Sequence, residues 1–197
     1  MMSDYSIRRM DLSEIKNIYV HIVNDFAPGE YAPYEILFDQ IKDGELEGLI
    51  LCNGPSDLAY AICAVNKENR FVLLSLMAVF PENRGSGTGT AFVKALCLRY
   101  CDMQGIIVEV EKPEFAQLSS EQEMRTRRMA FYKKLGFYRI RNIDYTIWDV
   151  PLHLMALPIK ASNEFINTEI GVIIYQIYFR LMGKRLMYKL AFRVLEE

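Results

Sequence analysis

Arg84-Gly85-Ser86-Gly87-Thr88-Gly89 is the stretch of this chain whose residue types and spacing bear most directly on chemistry. Alternating glycines let successive backbone N–H groups converge on one point without Cβ obstruction. A helix N-terminus just behind them adds its own unsatisfied donors and a partial positive charge. Such a turn is built to hold an anion. A nucleoside-triphosphate loop would close on Gly-Lys-Ser/Thr so that the lysine reaches the outer phosphates, and here the turn closes on Gly89-Thr90 without a lysine. A dinucleotide fingerprint wants Gly-x-Gly-x-x-Gly, and Gly85, Gly87 and Gly89 are spaced otherwise. The pattern that fits is Arg-x-x-Gly-x-Gly, read as Arg84, Gly87 and Gly89.

Two carboxylates follow. Glu109 and Glu111 alternate within Gly105-Ile106-Ile107-Val108-Glu109-Val110-Glu111, so a strand here points both to one face. Buried together, their mutual repulsion raises one pKa, which suits a base; the other reading is a solvent-facing pair at a strand end. Cys97 and Cys101 lie one helical turn apart, but the chain's two histidines, His21 and His153, are distant in sequence, so core packing rather than a metal site is expected of these thiols.

The elements that position these groups can be read from periodicity and punctuation. Ser6–Met10 reads as a first strand, and Asp11 or Ser13 as the cap of a helix carrying Ile15, Ile18, Tyr19 and Ile22. Ala27-Pro28-Gly29 breaks the chain before a second helix over Tyr34–Ile41, closed by Asp43-Gly44. Leu46–Cys52 and Leu58–Val65 flank the turn cluster Asn53-Gly54-Pro55-Ser56-Asp57 and form a hairpin. Phe71–Phe80 is the strand before the glycine turn, and Phe92–Leu98 carries the helical pattern after it. The order predicts an α+β fold with helices on both faces of a sheet.

The Arg84, Gly87 and Gly89 pattern, after a strand ending Val79-Phe80-Pro81, resembles the coenzyme A site of the GNAT superfamily of N-acetyltransferases. Phe131-Tyr132-Lys133-Lys134-Leu135-Gly136-Phe137 resembles the superfamily's second block, a helix ending Tyr-x-x-x-Gly-Phe, and the two occur in the family's order with one strand between them. The resemblance covers about residues 4–150. It implies a mixed, mostly antiparallel central sheet, an acetyl-CoA co-substrate with no metal, and acetyl transfer to a primary amine by direct attack in a ternary complex. It further implies that Met77, Ala78 and Val79 pair with the cofactor's pantetheine amides, with the N–H of Val79 toward the thioester carbonyl, and that Arg84, Gly85, Ser86, Gly87, Thr88, Gly89 and Thr90 hold its phosphates. Tyr132 takes the position of the proton donor to the leaving thiolate, packing being its alternative role. Glu109 resembles the base of the superfamily's amino-terminal protein acetyltransferases.

The family often carries an asparagine and a small residue where this chain has Arg125 and Arg128. These arginines could meet coenzyme A phosphates or an acidic substrate, or form a solvated helix face paired with Glu121 and Glu123. Glu30, Tyr31, Tyr34, Tyr145 and Trp148 are candidate liners of an acceptor pocket for a cationic amine. The rival reading is a non-catalytic acyl-CoA-binding or regulatory module of the same fold.

The 197 residues, 51% of them hydrophobic, can bury one sizeable core. With 23 basic against 25 acidic residues, the net charge of −2 argues against a nucleic-acid surface and for a small-molecule or peptide amine as partner. The N-terminus lacks the basic and apolar regions of a signal peptide, so a cytoplasmic protein with reduced cysteines is expected. Residues 1–150 read as the acetyltransferase domain and 151–197 as a C-terminal strand and helical extension packed on it. In that extension Ile166–Met182 is apolar but interrupted by Glu169, Gln176 and Arg180, which favours a packed helix over membrane contact. Its basic, aromatic end leaves a surface helix, a partner-binding helix or a cover over the acceptor pocket open, as it does a homodimer.

Overall fold

The computed structural model describes residues 5–195. The chain adopts the expected α+β class, a mixed and mostly antiparallel open sheet with helices on both faces. It divides into two compact units, one of residues up to Val65 with Leu74–Cys101 and one of Asn66–Leu73 with the residues from Asp102 on.

The first unit holds β1 (Tyr5–Arg9), α1 (Ile15–Asp25), α2 (Tyr34–Lys42), β2 (Leu46–Asn53), nearly all of β3 (Ser56–Asn66), the end of β4 (Phe71–Val79) and α3 (Thr88–Arg99). Its strands follow the order β1-β2-β3-β4. Antiparallel register sets Ile7 opposite Leu51 and Ile50 opposite Tyr60. β2 and β3 are buried at almost every position, so they read as continuous apolar runs rather than alternations. α1 buries Ile15, Ile18 and Ile22, one stripe at helical spacing. Neither Asp11 nor Ser13 caps it. Glu14 stands at the N-cap without a side-chain bond to the helix; its carboxylate instead accepts from the Asp11 N–H at 2.7 Å and from both arms of Arg8 at 2.7 Å.

The second unit holds β5 (Gly105–Glu111), α4 (Ser119–Lys134), β6 (Tyr138–Arg139), β7 (Ile143–Ile147), β8 (Val150–Pro158), α5 (Asn163–Met182) and β9 (Leu190–Val194). Strand order is β5-β8-β7-β9, with β6 also on β8. β5 pairs with β8 along the whole length of β5, from Gly105 opposite Pro158 to Glu111 opposite Leu152. It begins at Val150, where the sequence resemblance fades. β7 and β8 are joined by a two-residue turn in which Trp148 and Asp149 both have positive φ, 53° and 65°. That left-handed pair matches the twist of a tight hairpin and turns the half-exposed Trp148 outward.

α5 buries Ile166, Ile170, Ile173, Ile174, Ile177 and Tyr178 on one face. Ser162 caps it through Phe165 N–H at 3.1 Å. The helix approaches β9 so closely that a Cβ on Gly171 would lie 2.8 Å from the Phe192 ring. The basic, aromatic end of the tail is therefore a 3-10 turn over Lys184–Lys189 followed by the strand β9, with Ile143 opposite Val194. Alternation of Leu190, Phe192 and Val194 with Ala191 and Arg193 allows this, and β7 supplies the partner edge. Among the described residues no helix is long and apolar enough to cross a membrane.

Candidate active site

In the first unit, the groups suited to an anion gather where β4 hands over to α3. Gly85 and Gly87 take the left-handed conformation at φ 79° and 85°, which any other residue would adopt at a cost. At both, the direction a Cβ would occupy is open space to 4 Å. α3 starts at Thr88, a turn earlier than its apolar pattern suggests, with Gly87 as N-cap and no side chain capping it. Its leading N–H groups thus have no partner within the helix. Ser86 and Thr88 do not point their hydroxyls outward; both donate to the Asn83 carbonyl, at 2.8 and 3.0 Å, and so fold the turn. The loop therefore offers backbone donors and helix dipole on its open side, which fits a polyphosphate such as that of coenzyme A.

Arg84 anchors this loop. Its Nε donates to the Val79 carbonyl at 2.9 Å and its Nη2 meets Asp25 at 2.7 Å, joining the end of β4 to the end of α1. Asp25 also accepts from the Tyr60 hydroxyl at 2.9 Å. Burial, then that bond to Asp25, pushes the Tyr60 phenol far up, so it remains a donor. Met77, Ala78 and Val79 are part-exposed at the end of a strand whose first residues are buried. Asp25 had no signal in sequence beyond its place at a helix end.

In the second unit, the two strand carboxylates do not share a site. Glu109 accepts from Tyr145 of β7 in a short hydrogen bond and from Tyr178 of α5, whose hydroxyl lies 2.9 and 2.8 Å from its two oxygens. Burial pushes the Glu109 carboxyl up, against the two phenol hydrogen bonds that favour its ionised form. The residue still keeps part of its surface exposed. Glu111 instead takes Arg125 at 2.6 Å and Arg128 at 3.9 Å, both from α4. Arg125 thus pairs with Glu111 rather than with Glu121 or Glu123, and the two strand glutamates are held by different partners. Glu121 accepts from the Gln117 N–H, and Glu123 pairs with Arg127. Arg125 also donates to the Lys112 carbonyl at 3.1 Å.

Tyr132 is buried at the end of α4, its ring edge-on to Phe131 and Phe137, each 5.2 Å between centroids. The Phe137 and Leu135 N–H groups both return to the Tyr132 carbonyl, and Gly136 makes the left-handed stop, so the Tyr-x-x-x-Gly-Phe block is a helix terminus that fixes this side chain.

The other expected liners are held by local contacts within their own units. Tyr145 is wholly buried beneath Glu109, while Tyr31 and Tyr34 stack edge-on against Tyr19 at 5.8 and 5.4 Å. Glu30 turns back on its own loop, its carboxylate accepting from the Ala27 N–H at 3.3 Å. The cysteines divide, with Cys52 and Cys63 buried but Cys101 exposed in the turn beyond α3, where the core does not reach. Burial pushes the Cys63 thiol up to about 12, the opposite of nucleophile activation. No group of three metal-binding side chains occurs among the described residues.

Tyr178 is the site residue that sequence reasoning missed. Its one signal was a polar tip in an otherwise all-isoleucine buried stripe, since a buried phenol needs a partner.

Residues 46–139 match the family model of the GNAT acetyltransferase domain. No curated protein matches the chain by sequence. Among solved structures, a Bacteroides thetaiotaomicron protein assigned to the GNAT family of acetyltransferases aligns with TM-score 0.70 at 20% identity, over 90% of this chain and 98% of that one. Ribosomal-protein-S18-alanine N-acetyltransferase of Escherichia coli aligns with TM-score 0.56 at 20% identity, over 81% and 97%. A mutant of spermidine N-acetyltransferase SpeG of Vibrio cholerae aligns with TM-score 0.59 at 12% identity, over 79% and 94%. Residues 46–139 thus match the GNAT acetyltransferase domain, and the chain has the fold of the solved GNAT-family structure.

Proposed function

We propose that the chain is an acetyl-CoA-dependent N-acetyltransferase that acetylates a primary amine, of a small molecule or a peptide, by direct attack in a ternary complex. The observation that carries the reading is the open, uncapped glycine turn at the head of α3, within the stretch that matches the family model. Acetyl-CoA supplies an activated thioester. The backbone of Gly85–Thr90 holds its phosphates, with Arg84 fixing the loop, and the exposed end of β4 at Met77, Ala78 and Val79 pairs with its amide arm.

An ammonium is not a nucleophile, so the acceptor must lose a proton before its nitrogen attacks. Glu109 takes that proton, directly or through water; a carboxyl pushed up by burial is better matched to this task at neutral pH than an exposed one. The N–C bond forms as the C–S bond breaks. The departing sulfur takes a proton from Tyr132, whose ring is clamped by Phe131 and Phe137, and the second proton shed by the new amide nitrogen restores the phenol by way of water. The four free cysteines accord with a reducing, cytoplasmic setting.

Thiol release from acetyl-CoA against a panel of amines tests the reading. Turnover with one amine class, reduced about a hundredfold in Tyr132→Phe with acetyl-CoA affinity retained, is the expected result. Tight acetyl-CoA binding with no turnover across polyamines, amino sugars, amino acids and peptide N-termini would favour a non-catalytic acyl-CoA-binding module.

A further inference from the structure

The structure assigns the C-terminal helix a working part in the site: we propose that Tyr178 of α5 is a positioning residue that orients and holds the Glu109 carboxylate. The inference rests on the transferase reading for its catalytic meaning, and on geometry alone for the contact.

α5 delivers that hydroxyl by several independent constraints. Its isoleucine stripe faces the core of the second unit, and Gly171 lets it sit against Phe192. Gln176 accepts from Asn69 Nδ2 at 2.8 Å, which fixes the helix along its axis two residues before Tyr178. The phenol thus arrives almost equidistant from the two oxygens, 2.9 and 2.8 Å. Tyr145 approaches Oε1 from β7. A carboxylate held from two elements cannot swing to another rotamer.

The direction of donation follows from the phenols themselves. Burial first, then the facing Glu109 charge, pushes both Tyr145 and Tyr178 far above the ordinary phenol range, so both keep their protons and donate. Those two phenols are the titratable groups that bond to Glu109, and Leu154 stands opposite it on β8. Glu111, two residues on, is occupied by Arg125. Both phenols lie beyond residue 139, outside the stretch that matches the family model, and Tyr178 belongs to the C-terminal extension.

The test compares wild type, Tyr178→Phe, Glu109→Gln and the double variant. Amine-dependent thiol release is measured across pH, and Glu109 is titrated directly by carbon NMR of labelled glutamate. Loss of a donor to the ionised form raises the carboxyl pKa, so in Tyr178→Phe both the NMR titration and the limb of kcat/KM that rises with pH move to higher pH. Activity falls about tenfold, the scale of one hydrogen bond to a charged group. In the Glu109→Gln background, adding Tyr178→Phe costs nothing further. Because loss of a buried hydroxyl can unsettle α5, 3-fluorotyrosine at position 178 provides an isosteric second variant, whose stronger donation moves both readouts to lower pH. An unmoved Glu109 titration in both variants overturns the inference even if the enzyme acetylates amines. So does an equal loss from Tyr178→Phe with and without Glu109. A wild type that acetylates nothing defeats the transferase reading, while the titration still decides whether Tyr178 governs Glu109.

Discussion

Arg84 meets Asp25 at 2.7 Å while its Nε holds the carbonyl of Val79, so one guanidinium ties the glycine loop to both the end of α1 and the end of β4. Its cation is half-exposed, and as a surface pair it contributes little to stability; its value lies in fixing where the loop sits. Arg84→Ala is therefore expected to weaken acetyl-CoA binding about tenfold by calorimetry while moving Tm by only a degree or two. Arg84→Lys keeps the charge but cannot span both partners, and should recover only part of the loss. Wild-type affinity in Arg84→Ala would remove this residue from the binding machinery.

Gly87 separates loop strain from ligand clash. At φ 85° a side chain costs about 1 kcal/mol of backbone strain. In the free protein nothing blocks the new Cβ. Gly87→Ala should therefore lower Tm modestly and, where acetyl-CoA seats in the open space that the methyl group enters, weaken its binding by more than the folding penalty. Equal losses in Tm and affinity would mean that the ligand approaches elsewhere.

The glycine turn, the Tyr132 block and the run of strands to β5 were legible in sequence because each is local: a φ requirement, a helix stop and an apolar run signal themselves within a few residues. The partners of Arg84, Glu109, Glu111 and Arg125 were not. Asp25 is 59 residues from Arg84, and Tyr178 is 69 from Glu109. Spacing could put Glu109 and Glu111 on one face, but not say that α5 supplies phenols to one and α4 guanidinium groups to the other. The placing of β9 was hidden for a related reason, since the alternation of Leu190, Phe192 and Val194 permits a strand but only β7 supplies the edge it pairs with.

Glu47 is a structural acid in the first unit. Burial alone would push its carboxyl up, but the Tyr100 hydroxyl at 2.9 Å, Arg99 at 3.0 Å and Arg9 at 2.9 Å more than offset this and hold it below the usual range. A depressed pKa contributes stability that is present above the unfolded value and lost as pH falls through the folded one. Glu47→Gln should therefore destabilise the protein by about 2 kcal/mol at neutral pH. The gap should close as pH falls below the ordinary carboxylate range and wild-type Glu47 takes up its proton. Denaturant melts at a series of pH values would show it, and a gap that persists unchanged into acid would exclude this origin.

Glu109 predicts the opposite sign. Its carboxyl is pushed up by burial, so the folded state binds its proton more tightly than the unfolded chain, and stability falls as pH rises from the unfolded value through the folded one. A neutral amide of the same shape escapes that penalty and can still accept from one phenol. Glu109→Gln should melt with wild type in acid and progressively above it as pH rises toward neutrality, while amine acetylation falls about a hundredfold or more. Gain of stability with loss of activity is the mark of a charge kept in the core for its chemistry. A Glu109→Gln protein that melts below wild type at neutral pH would show instead that the ionised carboxylate is a net support of the fold through Tyr145 and Tyr178. Its role as the proton acceptor would then have to be sought in the pH profile alone.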